Sequence, residues 1–191
     1  DTVGRDNTHH TFFEMLGNWS FGDYYKKEAI QWSWELLTKV WGLDPQRLHA
    51  SYFVDDQGDL PSDQEARDFW LAQPGFDPAH LVQGGRKDNF WEMAETGPCG
   101  PCSEIHYDFG PSFCNMKDVP GHVCEVNGDC SRIVEIWNNV FIQYNRTSPT
   151  NFQPLPKRHV DTGMGFERIV SIIQGVNGNY ETDLLKPLLD E

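Results

Sequence analysis

Residues 132–145 read RIVEIWNNVFIQYN. Val134, Ile136, Val140, Ile142 and Tyr144 recur at period two, which predicts a strand from Arg132 to Asn145 with these side chains on one face. Asn138 falls in the same row and interrupts it. A strand this long needs neighbours. Ser103 to Phe109 and Leu48 to Val54 read as strands, the second closed by the Asp55-Asp56-Gln57-Gly58 turn. His9 to Phe21, rich in Phe and Trp and too short before Gly22 for a long helix, reads as a strand with loop ends.

Helices fall between these strands. After Gly22, with Asp23 as cap, Ile30, Trp34, Leu37 and Trp41 follow at helical spacing until Gly42, so this helix has a packing face. Ser62 and Glu65 form a capping-box pair that opens a second helix, to about Ala72. Gly163 to Val176 reads as a glycine-opened helix that buries Ile169, Ile172 and Ile173. Residues 97–101 read as a Gly/Pro loop, and residues 110–131, irregular and cysteine-bearing, as a surface insertion. Together these predict an α+β fold, an antiparallel sheet flanked by helices.

The 191 residues are 38% hydrophobic, enough for one core, and no repeat or flexible linker divides them. Fifteen Lys and Arg against 29 Asp and Glu leave a net charge of −14, which removes the basic surface behind most non-specific nucleic-acid affinity. There is no apolar run of a membrane span's length and no signal-peptide pattern. The chain opens at Asp1 and runs straight into a dense aromatic stretch, so it is expected to be a piece of a longer protein. The cysteines (Cys99, Cys102, Cys114, Cys124, Cys130) are odd in number without a secretory signal, which favours reduced thiols over a disulfide framework.

Candidate chemistry starts at residues 161–168, DTGMGFER, where two glycines stand at the mouth of the predicted helix and Arg168 one turn in. Such a helix N-terminus admits an anion closely, and a guanidinium grips phosphate oxygens bidentately, so a triphosphate fits. A tight strand-to-helix turn with a surface arginine would carry the same letters. Asn138 on an apolar face needs partners, either nearby backbone or a ligand. Asp161 could hold an ammonium group or cap a helix. His9 and Phe13 stand four apart, and a ring such as Phe13 either stacks on a nucleobase or packs in the core. Cys99-Gly-Pro-Cys102 has CxxC spacing, but its prolines place it in a loop entering a strand, which disfavours redox work. Cys114, His122, Cys124 and Cys130 are good zinc-ligand types, yet their spacing matches no common finger, so no metal site is expected. Without HExxH or GxSxG, metalloprotease and α/β-hydrolase readings have no support.

Five blocks carry a resemblance: HHTFFEMLGNWSFGDYY (His9 to Tyr25), DNFWEM (Asp88 to Met93), TGPCGPCSEIHYD (Thr96 to Asp108), EIWNNVFIQYNR (Glu135 to Arg146) and PLPKRHVDTGMGFER (Pro154 to Arg168). In this order they resemble the catalytic domain of the alanyl-tRNA synthetases, over most of the chain outside about residues 57–87 and the insertion. The resemblance implies the class II fold, with residues 1–191 part of the adenylate-forming domain and ATP and amino acid on one sheet face. It places His9 and Phe13 in the second half of motif 2, the ring stacking on adenine, with Met15 also in the ATP site. GMGFER resembles motif 3, with Gly165 in the ATP site and Arg168 as the catalytic residue that binds the outer phosphates. Trp91, Asn138, Val140, Asp161 and Gly163 fall where the family forms its alanine pocket, Asp161 and Asn138 holding the ammonium group. CGPC belongs to the family's sequence without redox work, which further lowers the expectation of zinc in this segment. Ala94-Glu95 stands where the family has Gly-Asp. Motif 1 and an earlier motif 2 arginine lie outside these residues, which alone are expected to activate alanine poorly or not at all.

The implied reaction is attack of the alanine carboxylate on the α-phosphorus of ATP carrying Mg²⁺, with release of pyrophosphate and then alanyl transfer to the 3′ end of tRNA(Ala). Positioning and charge stabilisation by Arg168 and Mg²⁺ carry the rate. The expected compartment is the cytoplasm or mitochondria, with no membrane partner. Two rivals are a ligase that loads a small amino acid onto a carrier protein and a non-catalytic metal-binding module built on the cysteines.

Overall fold

The structure, a computed structural model, describes residue 3 and residues 9–191. In chain order its elements are β1 (Met15–Leu16), β2 (Trp19–Phe21), α1 (Lys26–Glu35), β3 (Leu48–Phe53), α2 (Gln64–Leu71), β4 (Leu81–Gly84), α3 (Arg86–Asn89), β5 (Phe90–Glu92), β6 (Gly97–Asp108), β7 (Ile133–Ser148), β8 (Asn151–Gly165), α4 (Phe166–Gln174) and α5 (Lys186–Leu189). The strands form one sheet in the order β1-β8-β7-β6-β3-β4, with β2 paired to β8 and β5 to β6. Every pair is antiparallel except β3–β4, which α2 joins as a crossover.

The strand over residues 132–145 is present as β7, but its core-facing row is the other one. Trp137, Asn139 and Phe141 are buried toward α1, where Ser33 Oγ donates to Asn139 Oδ1 at 3.2 Å and the Tyr25 and Phe141 rings meet edge to face. Opposite Ile105/His106 the pairing slips from Trp137 to Glu135, so Ile136 is the extra residue of a bulge. Both faces of this central strand are covered, and a period-two apolar row cannot then say which face meets the helices. β8 alternates cleanly at its end: Val160, Thr162 and Met164 are buried, while Asp161, Gly163 and Gly165 are half-buried on the opposite face.

The helix layer packs Ile30, Trp34 and Leu37 of the first helical segment with Trp70 and Phe76. Trp70 Nε1 donates to Ser103 Oγ at 2.7 Å, pinning α2 to β6. Helix starts shift where side chains compete for backbone donors. Ser20 Oγ accepts from Asp23 N–H and donates to Tyr24 O, holding a turn there, so Tyr25 rather than Asp23 is the N-cap of α1. Beyond Glu35 the helix widens into a π turn, Leu36–Val40. Ser62 Oγ is taken by Asp55 N–H, so Asp63 caps α2, accepting from Ala66 N–H at 3.1 Å. Asp63 also pairs with the buried Lys26 ammonium at 2.7 Å, tying the two helix starts together.

Two predicted boundaries differ, while residues 110–131 are irregular as expected. Residues 97–101 belong to β6, because a register shift between Cys99 and Cys102 takes up the prolines, which lack a ladder donor. Gly100 permits it: a Cβ there would stand 2.1 Å from Phe141 O. Gly163-Met164-Gly165 is strand, with Gly165 the N-cap of α4, and Ile173 is 53% exposed while Ile169 and Ile172 are buried. Residues 110–131 contain only a 3-10 turn, Pro111–Phe113.

Candidate active site

In an antiparallel ladder, directly opposed residues share a face. On the face turned from α1, one row is Glu104, Asn138 and Gly163, and the next is Cys102, Val140 and Asp161, with Trp19 beyond Asp161. Past the bulge, His106 lies opposite Glu135. β1 closes the end of this face by pairing Met15 with Gly165 and Leu16 with Met164. Glu14 N–H donates to Glu167 Oε1 at 2.9 Å, fixing the entry to β1 against α4.

His9, Phe13, Met15, Gly163, Gly165 and Arg168 line one cavity of ≈ 260 Å³, with Glu135 and Ile136 also in its wall. The residues predicted for ATP therefore meet at one place, joined by Gly163 from the predicted alanine set. Gly163 makes room for Met15, since a Cβ there would stand 2.6 Å from the Met15 sulfur. Arg168 reaches back over β7, Nη1 donating to Glu135 O at 2.6 Å and standing 3.7 Å from the Glu135 carboxylate. His10 anchors the approach by bonding the Tyr180 hydroxyl at 3.0 Å and the Asn179 amide at 2.6 Å.

Asn138, Val140 and Asp161 continue the same face outside that cavity's lining. Asn138 Oδ1 is buried and accepts from no described residue, a lone pair suited to a ligand donor. Trp91 sits apart on β5, opposite Gly100.

Three residues of this face, Glu104, His106 and Glu135, and one that reaches it from a loop, Asn127, carried no sequence expectation. Asn127, delivered by the 110–131 segment in a left-handed conformation (φ +58°), donates from Nδ2 to Glu104 Oε2 at 3.1 Å. Its Oδ1 meets His106 Nε2 at 2.8 Å, an acceptor that places a ring proton on Nε2. Burial pushes His106 down to about 4. Burial, then the charge of Glu135, pushes Glu104 up to about 8. Glu135 is raised too, by burial, against the pull of Arg168 and His9. A carboxylate inside a strand's apolar run was the available signal for Glu104 and Glu135.

These directions set a pH dependence. Between its ordinary range and about 8, folded Glu104 keeps a proton that the unfolded chain has released, so stability falls as pH rises. His106 works in the opposite sense, its contribution being lost as pH falls from its ordinary value toward about 4, so neutral pH isolates Glu104. From about pH 6.5 to 7.5 the protein should lose about 1 kcal/mol relative to Glu104→Gln, roughly 2–4 °C in the thermal midpoint. Parallel pH profiles for the two proteins would show that Glu104 ionises normally.

An antiparallel sheet with an arginine at a strand-to-helix junction and a glycine-lined cavity beside it is the arrangement expected of a class II synthetase. The sequence model described as "tRNA synthetases class II (A)" matches residues 1–191, and the chain belongs to that family. It is 55% identical over 191 residues to an alanine–tRNA ligase of Chlorobium chlorochromatii (strain CaD3), covering 100% of this chain and 20% of the relative. It is 54% identical over 194 residues to that of Candida albicans, covering 100% of the chain and 19% of the relative. It is also 51% identical over 193 residues to the mitochondrial alanine–tRNA ligase of Saccharomyces cerevisiae, again covering 100% and 19%. The chain thus spans about a fifth of the length of the curated relatives it matches. Among the described residues no helix is long and apolar enough to cross a membrane.

Proposed function

We propose that residues 1–191 are part of the adenylate-forming domain of an alanine–tRNA ligase, which activates alanine with ATP and transfers it to the 3′ end of tRNA(Ala). The observation that carries this reading is the meeting of His9, Phe13, Met15, Gly165 and Arg168 around one cavity, beside the Asn138–Val140–Asp161 face. Phe13, 53% exposed and in the cavity wall, offers its ring to adenine. Arg168 offers its fork to the outer phosphates and is the catalytic residue. Asp161 and Asn138 would receive the alanine ammonium group, with Val140, opposite Asp161, and Gly163, opposite Asn138, beside its methyl group.

Adenylate formation asks little covalent work of the protein, so the site acts by holding the carboxylate in line with the α-phosphorus and stabilising the charge that develops. Mg²⁺ carried by ATP would supply neutralisation of the phosphates. The half-buried Glu135 carboxylate in the cavity wall would be the side chain to hold it, since Glu104 keeps its proton at neutral pH. The cytoplasm is the compartment we infer, with mitochondria as the alternative given the mitochondrial relative.

The test is alanine-dependent ATP–pyrophosphate exchange by the full-length protein, followed by charging of tRNA(Ala) or of carrier proteins. Exchange and tRNA charging are expected. Exchange with transfer only to a carrier protein would retain the site reading and overturn the tRNA acceptor, and absence of exchange would overturn both.

A further inference from the structure

The connection from β6 to β7 folds so that one donor atom each from Cys114, His122, Cys124 and Cys130 lies within 4.8 Å of all the others. Their spacing along the chain had argued against a finger, because here the ligand set is closed by tertiary folding of an irregular loop. Cys114 and Cys130 are buried and all the cysteines are free thiols. Cys124 Sγ stands 3.4 Å from His122 Nε2. Zinc bonds of about 2.3 Å to sulfur and 2.0–2.1 Å to nitrogen, at a tetrahedral angle, put those two atoms about 3.5 Å apart. Arg132 supplies outer contacts, its side chain bonding Cys124 and its backbone Cys130. The Arg132 guanidinium is itself held by Asp108 through two hydrogen bonds, of 2.8 and 2.6 Å, which fixes it beside the thiols.

We infer that Cys114, His122, Cys124 and Cys130 bind one zinc ion, as a closed structural site. Four protein ligands leave no open position for substrate water, so the ion does no chemistry itself. It clasps a segment that reaches the sheet face and the wall of a second cavity. Asn127, between Cys124 and Cys130, bonds Glu104 and His106 on the sheet face. Phe113, Cys114 and Asn115 form one wall of a second cavity, of ≈ 440 Å³, whose other side includes Arg168. The segment's one regular element is a 3-10 turn, and besides a few turn and side-chain hydrogen bonds the cross-link would be what orders it. This assignment stands on the ligand geometry and does not depend on the alanine reading.

Metal content of the full-length protein, purified under reducing conditions and dialysed against weak chelator, tests it. The wild type should carry one equivalent of zinc more than Cys124→Ser or Cys130→Ser, whatever zinc the rest of the protein holds, while Cys99→Ser, away on β6, should keep it. Co²⁺ exchanged into the wild type should show the visible absorption of a tetrahedral thiolate site, absent in Cys124→Ser. His122→Ala removes a half-buried ligand with less risk to folding. It should weaken zinc retention against a chelating dye by at least the roughly 10- to 100-fold that loss of an outer-shell partner costs, with the circular dichroism unchanged. Equal zinc in wild type and the Cys124 and Cys130 variants, or a disulfide among these thiols with no zinc, would overturn the assignment.

Discussion

Arg168→Ala is expected to lower alanine-dependent pyrophosphate exchange by about 10²- to 10³-fold, the cost of removing one preorganised donor from a developing charge. The structure sets Arg168 in the first turn of α4, with Nη1 fixed on the carbonyl of Glu135 and the side chain leaning over β7 into the cavity wall. That tether is to backbone, so the guanidinium is aimed by the sheet itself. Arg168→Lys should recover little of the loss, because an ammonium cannot reproduce a planar fork that touches backbone and phosphate together. The loss should fall on kcat as well as on KM for ATP, since the charge it faces grows during the reaction. Near-normal exchange in Arg168→Lys would move the residue from the site to the scaffold. An equal loss of thermal stability in both variants would point the same way.

The strands were legible where apolar period and length agreed, as for β3 and β7. What the pattern could not give was orientation. In β7 the row of Val134, Ile136 and Val140 looked like the core row, yet the helices cover Trp137, Asn139 and Phe141, and the bulge at Ile136 breaks the period. Glycine misled in part: Gly165 does cap α4, but Gly163 sits inside β8, where the missing side chain makes room for Met15. Capping depended on a competitor out of local view, Asp55 taking the Ser62 hydroxyl that would otherwise have capped α2.

For the site, the residues expected at ATP, carried by the first and last sequence blocks, line one cavity; Asn138, Val140 and Asp161 continue that sheet face outside it, and Trp91 stays apart on β5. Glu104, His106 and Asn127 were not legible, since their roles come from burial and from a loop contact across more than twenty residues. The cysteine and histidine ligands were visible as residue types only; their convergence depends on how residues 110–131 fold back between β6 and β7.

Asp161→Asn is expected to cut exchange at limiting alanine by roughly 10- to 150-fold, the worth of a charge-assisted bond of about 1.5–3 kcal/mol. The register supplies the geometry. Asn138 lies opposite Gly163 and Val140 opposite Asp161, so Asn138 and Asp161 are diagonal neighbours on one face, at a separation of about 7–8 Å between backbones. Side chains of this length reaching across that gap would leave room for one ammonium group between their oxygens. Asn138 already presents a buried oxygen that no described donor satisfies. An asparagine at 161 keeps the shape and loses the charge, so KM for alanine should rise while KM for ATP, governed by Phe13 and Arg168, holds. Asn138→Ala should give a smaller loss of the same kind, since its oxygen is neutral and one neutral hydrogen bond contributes about 0.5–1.5 kcal/mol. If exchange in Asp161→Asn fell by less than about threefold, or if ATP binding fell with it, the carboxylate would not be the ammonium partner and the unsatisfied Asn138 oxygen would need another donor.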